Sequence, residues 1–224
     1  MKHDLTVFLS AEASRAKANM GELSGMNERL AGLAALARTS NYFVFLSSCA
    51  VYGYERREPV STTEKLTPSD PYSIEKLACE EVVLENGGLV LRLANVFGYY
   101  PRYRGTITED LRAQCHAPDV SVLSLRSYDA VLDFIDVQSV VRLILKSLVT
   151  RSHGKFNVAS GQSLALFDLL RLASEASGKP IATSVQAAAP RQVQLLDISH
   201  SVAEFDWQPS PPIDMLKTYL CFVP

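Results

Sequence analysis

The 224 residues contain no apolar run that approaches the roughly 18 a membrane-spanning helix needs, so no membrane span is expected. Neither sign of charge dominates. Lys and Arg number 22 against 24 Asp and Glu, a net charge of -2, which gives no electrostatic case for nucleic acid or an anionic membrane. The four cysteines (Cys49, Cys79, Cys115 and Cys221) lie far apart with no CxxC. Reduced thiols in a cytosolic protein are the simplest reading, and the expected location is cytoplasmic. The four histidines are scattered and suggest no metal site. The one apolar segment near the start, LTVFL, is short and has no cleavage site after it, so no signal peptide is expected.

A core is nonetheless well supplied. Hydrophobic residues make up 47% of the chain and charged residues 21%, so the chain is not disordered. The length suits one large domain, or one domain with a small subdomain. LTVFLSA (Leu5 to Ala11) reads as a short strand. MNERLAGLAALAR (Met26 to Arg38) is apolar at helical spacing. YFVFLSS (Tyr42 to Ser48) and LVLRLANVFG (Leu89 to Gly98) are near-continuous apolar runs, as in parallel strands buried on both faces. Between them a helix runs from Pro71 to about Glu85 and ends at NGG. The first hundred residues thus alternate strand and helix, which implies a parallel sheet with crossover helices. A mixed region follows. Then DFIDVQSVVRLILKSL is a short strand entering a helix with Asp136 as N-cap, KFNVAS is a strand, and LALFDLLRLASEASGK is a helix closed by Gly178. The tail holds a short helix, a Pro-rich turn and a last helix. No repeat and no low-complexity segment is present.

DPYSIEKLACEEV (Asp70 to Val82) places Tyr72 and Lys76 one helical turn apart. A free tyrosine has a pKa of about 10 and is a poor base at neutral pH. An ammonium beside it favours the phenolate, which would make Tyr72 a usable general acid or base. An exposed helix with an ordinary Tyr and Lys would read the same. The preceding strand ends in LSSCAVYG, and open parallel sheets place reactive groups at the carboxyl ends of their strands. Ser48 lies at such an end. Its hydroxyl could hold a substrate oxygen while Tyr72 exchanges the proton, or could simply bond local backbone.

FVFLSSCAVYG, PYSIEK, LRLANVFG and DFIDVQSVV, in this order and spacing, resemble the extended short-chain dehydrogenase/reductases, specifically the NAD-dependent epimerase/dehydratase group. The resemblance runs from about Asp4 to the C-terminus. It implies an α/β fold: a Rossmann-like parallel sheet with crossover helices, N-terminally truncated, plus a small mixed C-terminal substrate subdomain. Residues 1–98 and 131–160 would form the core, and 99–130 with 161–224 the substrate-binding part. It also implies that Tyr72 is the catalytic acid/base and that Lys76 lowers its pKa and binds the nicotinamide ribose. Ser48 would polarise the substrate, Asn95 would lie near the substrate phosphates, and Asn27 would lie near the active site on the cofactor side. The implied cofactor is NAD or NADP, and the implied partner molecule a nucleotide-sugar or other small polar substrate.

Three departures qualify the resemblance. The family opens with a strand, a GxxGxxG loop and a helix that receive the cofactor pyrophosphate. This sequence has no such loop, and roughly sixty residues of the family pattern have no counterpart in it. Strand LTVFLSA would then be an exposed edge, covered by a homodimer partner, another subunit or the segment Glu12 to Ser24. Where the family has an arginine before DFIDV this chain has Leu132. Arg126 could substitute, with Arg191, Arg102 and Arg104 as further candidates, although each could be an ordinary exposed arginine. Finally, Ser48-Cys49-Ala50 lacks the carboxylates of the 4,6-dehydratases, so epimerisation or keto-reduction is expected rather than dehydration. The alternative is a non-catalytic or cofactor-free relative with a binding or assembly role.

Overall fold

The computed structural model describes residues 4–9, 25–53, 56, 58–98, 106–117, 122–125, 129–185 and 192–222. The two near-continuous apolar runs lie side by side at its centre. Strand β2 (Phe43–Ser48) pairs in parallel with β3 (Leu89–Leu93), from Val44 opposite Leu89 to Ser48 opposite Leu93. Strand β1 (Thr6–Phe8) adds to the outer side of β2, and β7 (Gly154–Val158) adds beyond β3, which completes a four-stranded sheet. Successive residues of a strand point to opposite faces, and both faces here are covered. Phe43 and Phe45 join Val90 in a cluster with Leu33 and Ala37 of α1 (Met26–Arg38) and Val83 of α2 (Pro71–Glu85). Val44, Leu89 and Leu91 face the other way, onto Val140 and Leu143 of α4 (Val137–Thr150) and the buried Trp207.

The ends of these helices follow local chemistry. Pro71 sits in the first turn of α2, where its missing N–H is not needed. The Asp70 carboxylate accepts the Ser73 backbone N–H at 2.8 Å, and the Ser73 hydroxyl accepts the Asp70 N–H at 3.2 Å. Asp136 caps α4 as expected, accepting the Ser139 N–H at 2.9 Å.

The run LVLRLANVFG divides. After Ala94, whose N–H still bonds Val158, the chain leaves the main sheet. Strand β4 (Asn95–Phe97) pairs instead with β6 (Val131–Asp136), which pairs antiparallel with β8 (Ser163–Ala165). Around these lie α3 (Ile107–His116), α5 (Leu166–Ser177) and α7 (Pro212–Cys221), which share a second core of Phe97, Leu111, Leu132, Phe134, Leu169 and Leu216. A two-stranded sheet of β5 (Leu123–Leu125) and β9 (Thr183–Val185) and the short helix α6 (Ser199–Phe205) complete the described elements. No described helix is long and apolar enough to cross a membrane, and no cluster of metal-ligating side chains occurs among the described residues. Among the described residues β1 pairs only with β2. The segment Glu12 to Ser24, expected to help cover it, lies outside the described residues.

Candidate active site

Ser48 ends β2, where the strand gives way to a tight 3₁₀ turn over Cys49–Tyr52. Its Oγ accepts the Ala50 N–H at 3.2 Å. That bond uses a lone pair and leaves the hydroxyl proton for an acceptor in the cleft. The turn closes at Gly53, with φ 84°, where a Cβ would lie 2.5 Å from Thr67 Oγ1 and 2.9 Å from its carbonyl oxygen. A side chain there would be strained and would clash, so the glycine of VYG is required by the turn.

Tyr72 and Lys76 arrive from the N-terminal half of α2. Lys76 is buried, and its Nζ donates to the Leu46 carbonyl at 3.1 Å. The ammonium lies 5.5 Å from the centre of the Tyr72 ring and 5.3 Å from that of Phe45. Burial pulls the Lys76 pKa down to about 8, opposed by Cys79, Glu75 and Glu80. Ser48, Tyr72 and Lys76 line one cleft of about 460 Å³. Where the chain changes sheets, Leu93, Ala94, Val96, Phe97 and Gly98 line it together with Val137. The rest of the lining includes Thr106, which caps α3, Thr108 and Glu109 of α3, and Tyr219 of α7. There Arg112 donates to Glu109 at 2.6 Å and the Tyr219 hydroxyl donates to the same carboxylate. Burial and Glu109 together push the Tyr219 phenol well above its usual value. This part of the lining did not emerge from the sequence, although Thr106-Ile-Thr108-Glu109 is a capping-box pattern that marks the start of α3.

Of the other expected site residues, Asn95 and Asn27 are among the described ones. Asn95 does not line the cleft. Its amide donates to the Asp133 carbonyl at 2.8 Å and to Gln194 Oε1 at 2.5 Å, which ties β4 to β6. Asn27 is exposed in the first turn of α1 and does not line the cleft either. Arg126 and Arg191 lie outside the described residues, as do Arg102 and Arg104. Leu132, where the resemblance expects an arginine, is buried in the second core. Cys49 is buried beside the site.

Asp133 behind Asn95 is fully buried. It accepts the Ser160 N–H at 2.8 Å, the Ser160 hydroxyl at 2.7 Å and the Gly161 N–H at 3.0 Å. Burial raises its pKa from 3.8 to about 6 against the pull of those bonds. The folded value therefore exceeds the unfolded one, and protonation favours the fold. Stability from this group is gained as pH falls from 7 through 6 towards 4. Urea unfolding at pH 7.5 and pH 5 should show the native protein gaining on Asp133→Asn at the lower pH. A gap that stays constant or shrinks would contradict this.

The chain matches the family model described as "NAD dependent epimerase/dehydratase family" over residues 10–159. It is 34% identical to a Rhizobium meliloti UDP-glucose 4-epimerase, over 44% of this chain and 30% of that protein. It is 30% identical to dTDP-6-deoxy-L-talose 4-dehydrogenase (NAD(P)(+)) from Kitasatospora kifunensis, over 82% of this chain and 63% of that protein. The chain thus spans between 30% and 63% of the length of these two curated relatives. Among solved structures, RMD from Pseudomonas aeruginosa complexed with NADPH matches 97% of this chain and 79% of its own, with a TM-score of 0.84 at 21% identity. UDP-glucose 4-epimerase from Thermotoga maritima with UDP-glucose matches 97% and 76%, with a TM-score of 0.85, also at 21% identity. These structures share the α/β fold of this chain. With the family model covering residues 10–159, this chain belongs to the NAD-dependent epimerase/dehydratase family.

Proposed function

We propose that this chain carries the acid–base site of an NAD(P)-dependent nucleotide-sugar epimerase or keto-reductase. The observation that supports it is the convergence of Ser48, Tyr72 and Lys76 on one cleft. In this reading the Ser48 hydroxyl donates to the oxygen of the reacting sugar carbon. Tyr72 gives a proton to that oxygen or takes one from it, and the Lys76 ammonium favours the phenolate form. The Lys76 ammonium and the Tyr72 hydroxyl are also the right donors for a ribose hydroxyl, so they fit the nicotinamide-ribose half of NAD or NADP. When bound, that cofactor supplies hydride uptake and return. Dehydration is not proposed, because Ser48-Cys49-Ala50 offers no carboxylate at the strand end. A nucleotide sugar is the proposed substrate because the relatives above are named for such compounds.

The partner expected at β1 belongs to the same reading. Leu9, next to β1, is 65% exposed and also lines the cleft. We place a second subunit over this edge, where it would wall the cleft as well as cover the strand. Light scattering of the purified chain should then give a mass above one protomer.

The direct test is an assay of UDP-, GDP- and dTDP-hexoses with millimolar NAD(P), read by sugar analysis and nicotinamide absorbance. Epimerisation or keto-reduction of one of them, lost in Tyr72→Phe, is expected. A folded protein that turns over none of them would overturn the proposal.

A further inference from the structure

Beneath the cleft lies a buried ion pair that the chemistry above does not use. Glu80 follows Lys76 on α2 by one helical turn, a spacing at which a carboxylate and an ammonium commonly pair. They do not pair here. Among the described residues no carboxylate reaches ion-pair distance from Lys76 Nζ, whose hydrogen bond goes to the Leu46 carbonyl. Glu80 is fully engaged elsewhere. Its Oε1 accepts the Ser47 hydroxyl at 2.5 Å and Arg92 Nε at 3.0 Å, and its Oε2 accepts Arg92 Nη2 at 2.6 Å. The Glu80 and Arg92 side chains are each 1% exposed.

The guanidinium is fixed from its far side too. Arg92 Nη1 donates to the Tyr52 hydroxyl at 2.9 Å, which donates to Asn157 Oδ1 at 2.7 Å. Asn157 in turn donates to the carbonyls of Val60 and Asp197. Arg92 thus takes up most of the Glu80 charge; Glu80 supports the Lys76 ammonium less than Cys79 and Glu75 do, and burial outweighs all three. The other groups that face Lys76 do not cancel its charge. Glu75 is drawn to Arg29 of α1 at 2.8 Å, and burial pushes the Cys79 thiol up to about 11, which keeps it neutral. From β2 the Phe45 ring and the Leu46 carbonyl meet the ammonium, neither of them charged.

We propose that Arg92, helped by Ser47, is a positioning residue that holds Glu80 away from Lys76 and so leaves Lys76 as the uncompensated cation beside Tyr72. The inference rests on the reading of Tyr72 and Lys76 as the acid–base pair. A purely structural ion pair would stabilise the sheet and leave the Lys76 titration unchanged when removed.

The experiment follows the Lys76 side chain by carbon-13 NMR of lysine-labelled protein from pH 6 to 11, with Lys76→Met to assign the signal. Glu80→Gln should change the proton affinity of Lys76 by less than about threefold, because Arg92 already takes up most of that charge. Arg92→Met should raise it at least about tenfold, because the released carboxylate turns to the ammonium. The double variant Glu80→Gln/Arg92→Met should return it close to the native value. The alkaline limb of the pH–activity profile should move upward with Arg92→Met by the same amount. A tenfold or greater fall in Glu80→Gln would make Glu80 the counterion of Lys76 and overturn the proposal. A folded Arg92→Met with an unchanged titration would also overturn it. If Arg92→Met does not fold, Glu80→Gln decides alone. The titration needs no turnover. A protein that titrates as expected but is inactive loses the acid–base reading, whereas an active protein with the wrong titration loses this inference.

Discussion

Tyr72→Phe should lower kcat by about 10²–10⁴-fold, the usual contribution of a positioned general acid or base. The ring stays, so its contact with the Lys76 ammonium and its place in the cleft wall stay with it. Only the hydroxyl proposed to exchange a proton is removed. Substrate affinity should therefore change little, and the loss should appear in kcat and kcat/KM alike, the sign of an interaction made only in the transition state. Ser48→Ala should also fall, through loss of the donor proposed for the reacting oxygen. Steady-state kinetics with the substrate found by the nucleotide-sugar assay is the check. A Tyr72→Phe variant with more than a tenth of native kcat would remove Tyr72 from the chemistry.

Arg92→Met should destabilise the fold by about 3–5 kcal/mol, because it leaves the Glu80 carboxylate buried without its counterion. Against a typical total of about 5–15 kcal/mol this is a large fraction. The double variant Glu80→Gln/Arg92→Met should lose much less, since no unpaired charge remains. Urea denaturation of the native protein, the single variant and the double variant measures the difference. The prediction fails if the single variant loses under about 1 kcal/mol, the range of exposed pairs. The exposed pair Arg171–Glu175 on α5 provides that comparison.

Much of this layout is legible in residue order because it is locally encoded. Helices α1 and α2 fall where periodicity and the Asp70-Pro71 start place them, and Asp136 and Gly178 mark the ends expected of them. Ser48, Tyr72 and Lys76 are readable because each sits in a short motif on one strand end or one helix turn. What depends on distant partners is not readable in this way. The run Leu89 to Gly98 looks like one strand, yet Asn95 finds Phe134 as its neighbour and turns into a second sheet. Strands β5, β8 and β9 have three residues each and exist through their pairings. Asn95 carries an expectation drawn from resemblance, and the partners of its amide nitrogen, Asp133 and Gln194, lie far away in sequence. The Glu80–Arg92 pair joins a helix to a strand, and no local pattern announces it.

The central proposal is that Tyr72 and Lys76 receive the nicotinamide-ribose end of a dinucleotide, and the 224 residues, whose sequence contains no glycine-rich loop, allow that end to be tested by itself. Each charge-assisted hydrogen bond that such a loop would make is worth about 1.5–3 kcal/mol, so these 224 residues by themselves should bind weakly. The most direct measurement is calorimetric titration of the native chain and Lys76→Ala with nicotinamide mononucleotide and with NAD(P) in both redox states. The expected result is binding on the order of millimolar, similar for the mononucleotide and the dinucleotide, and lost in Lys76→Ala. Micromolar dinucleotide binding that survives Lys76→Ala would contradict the account.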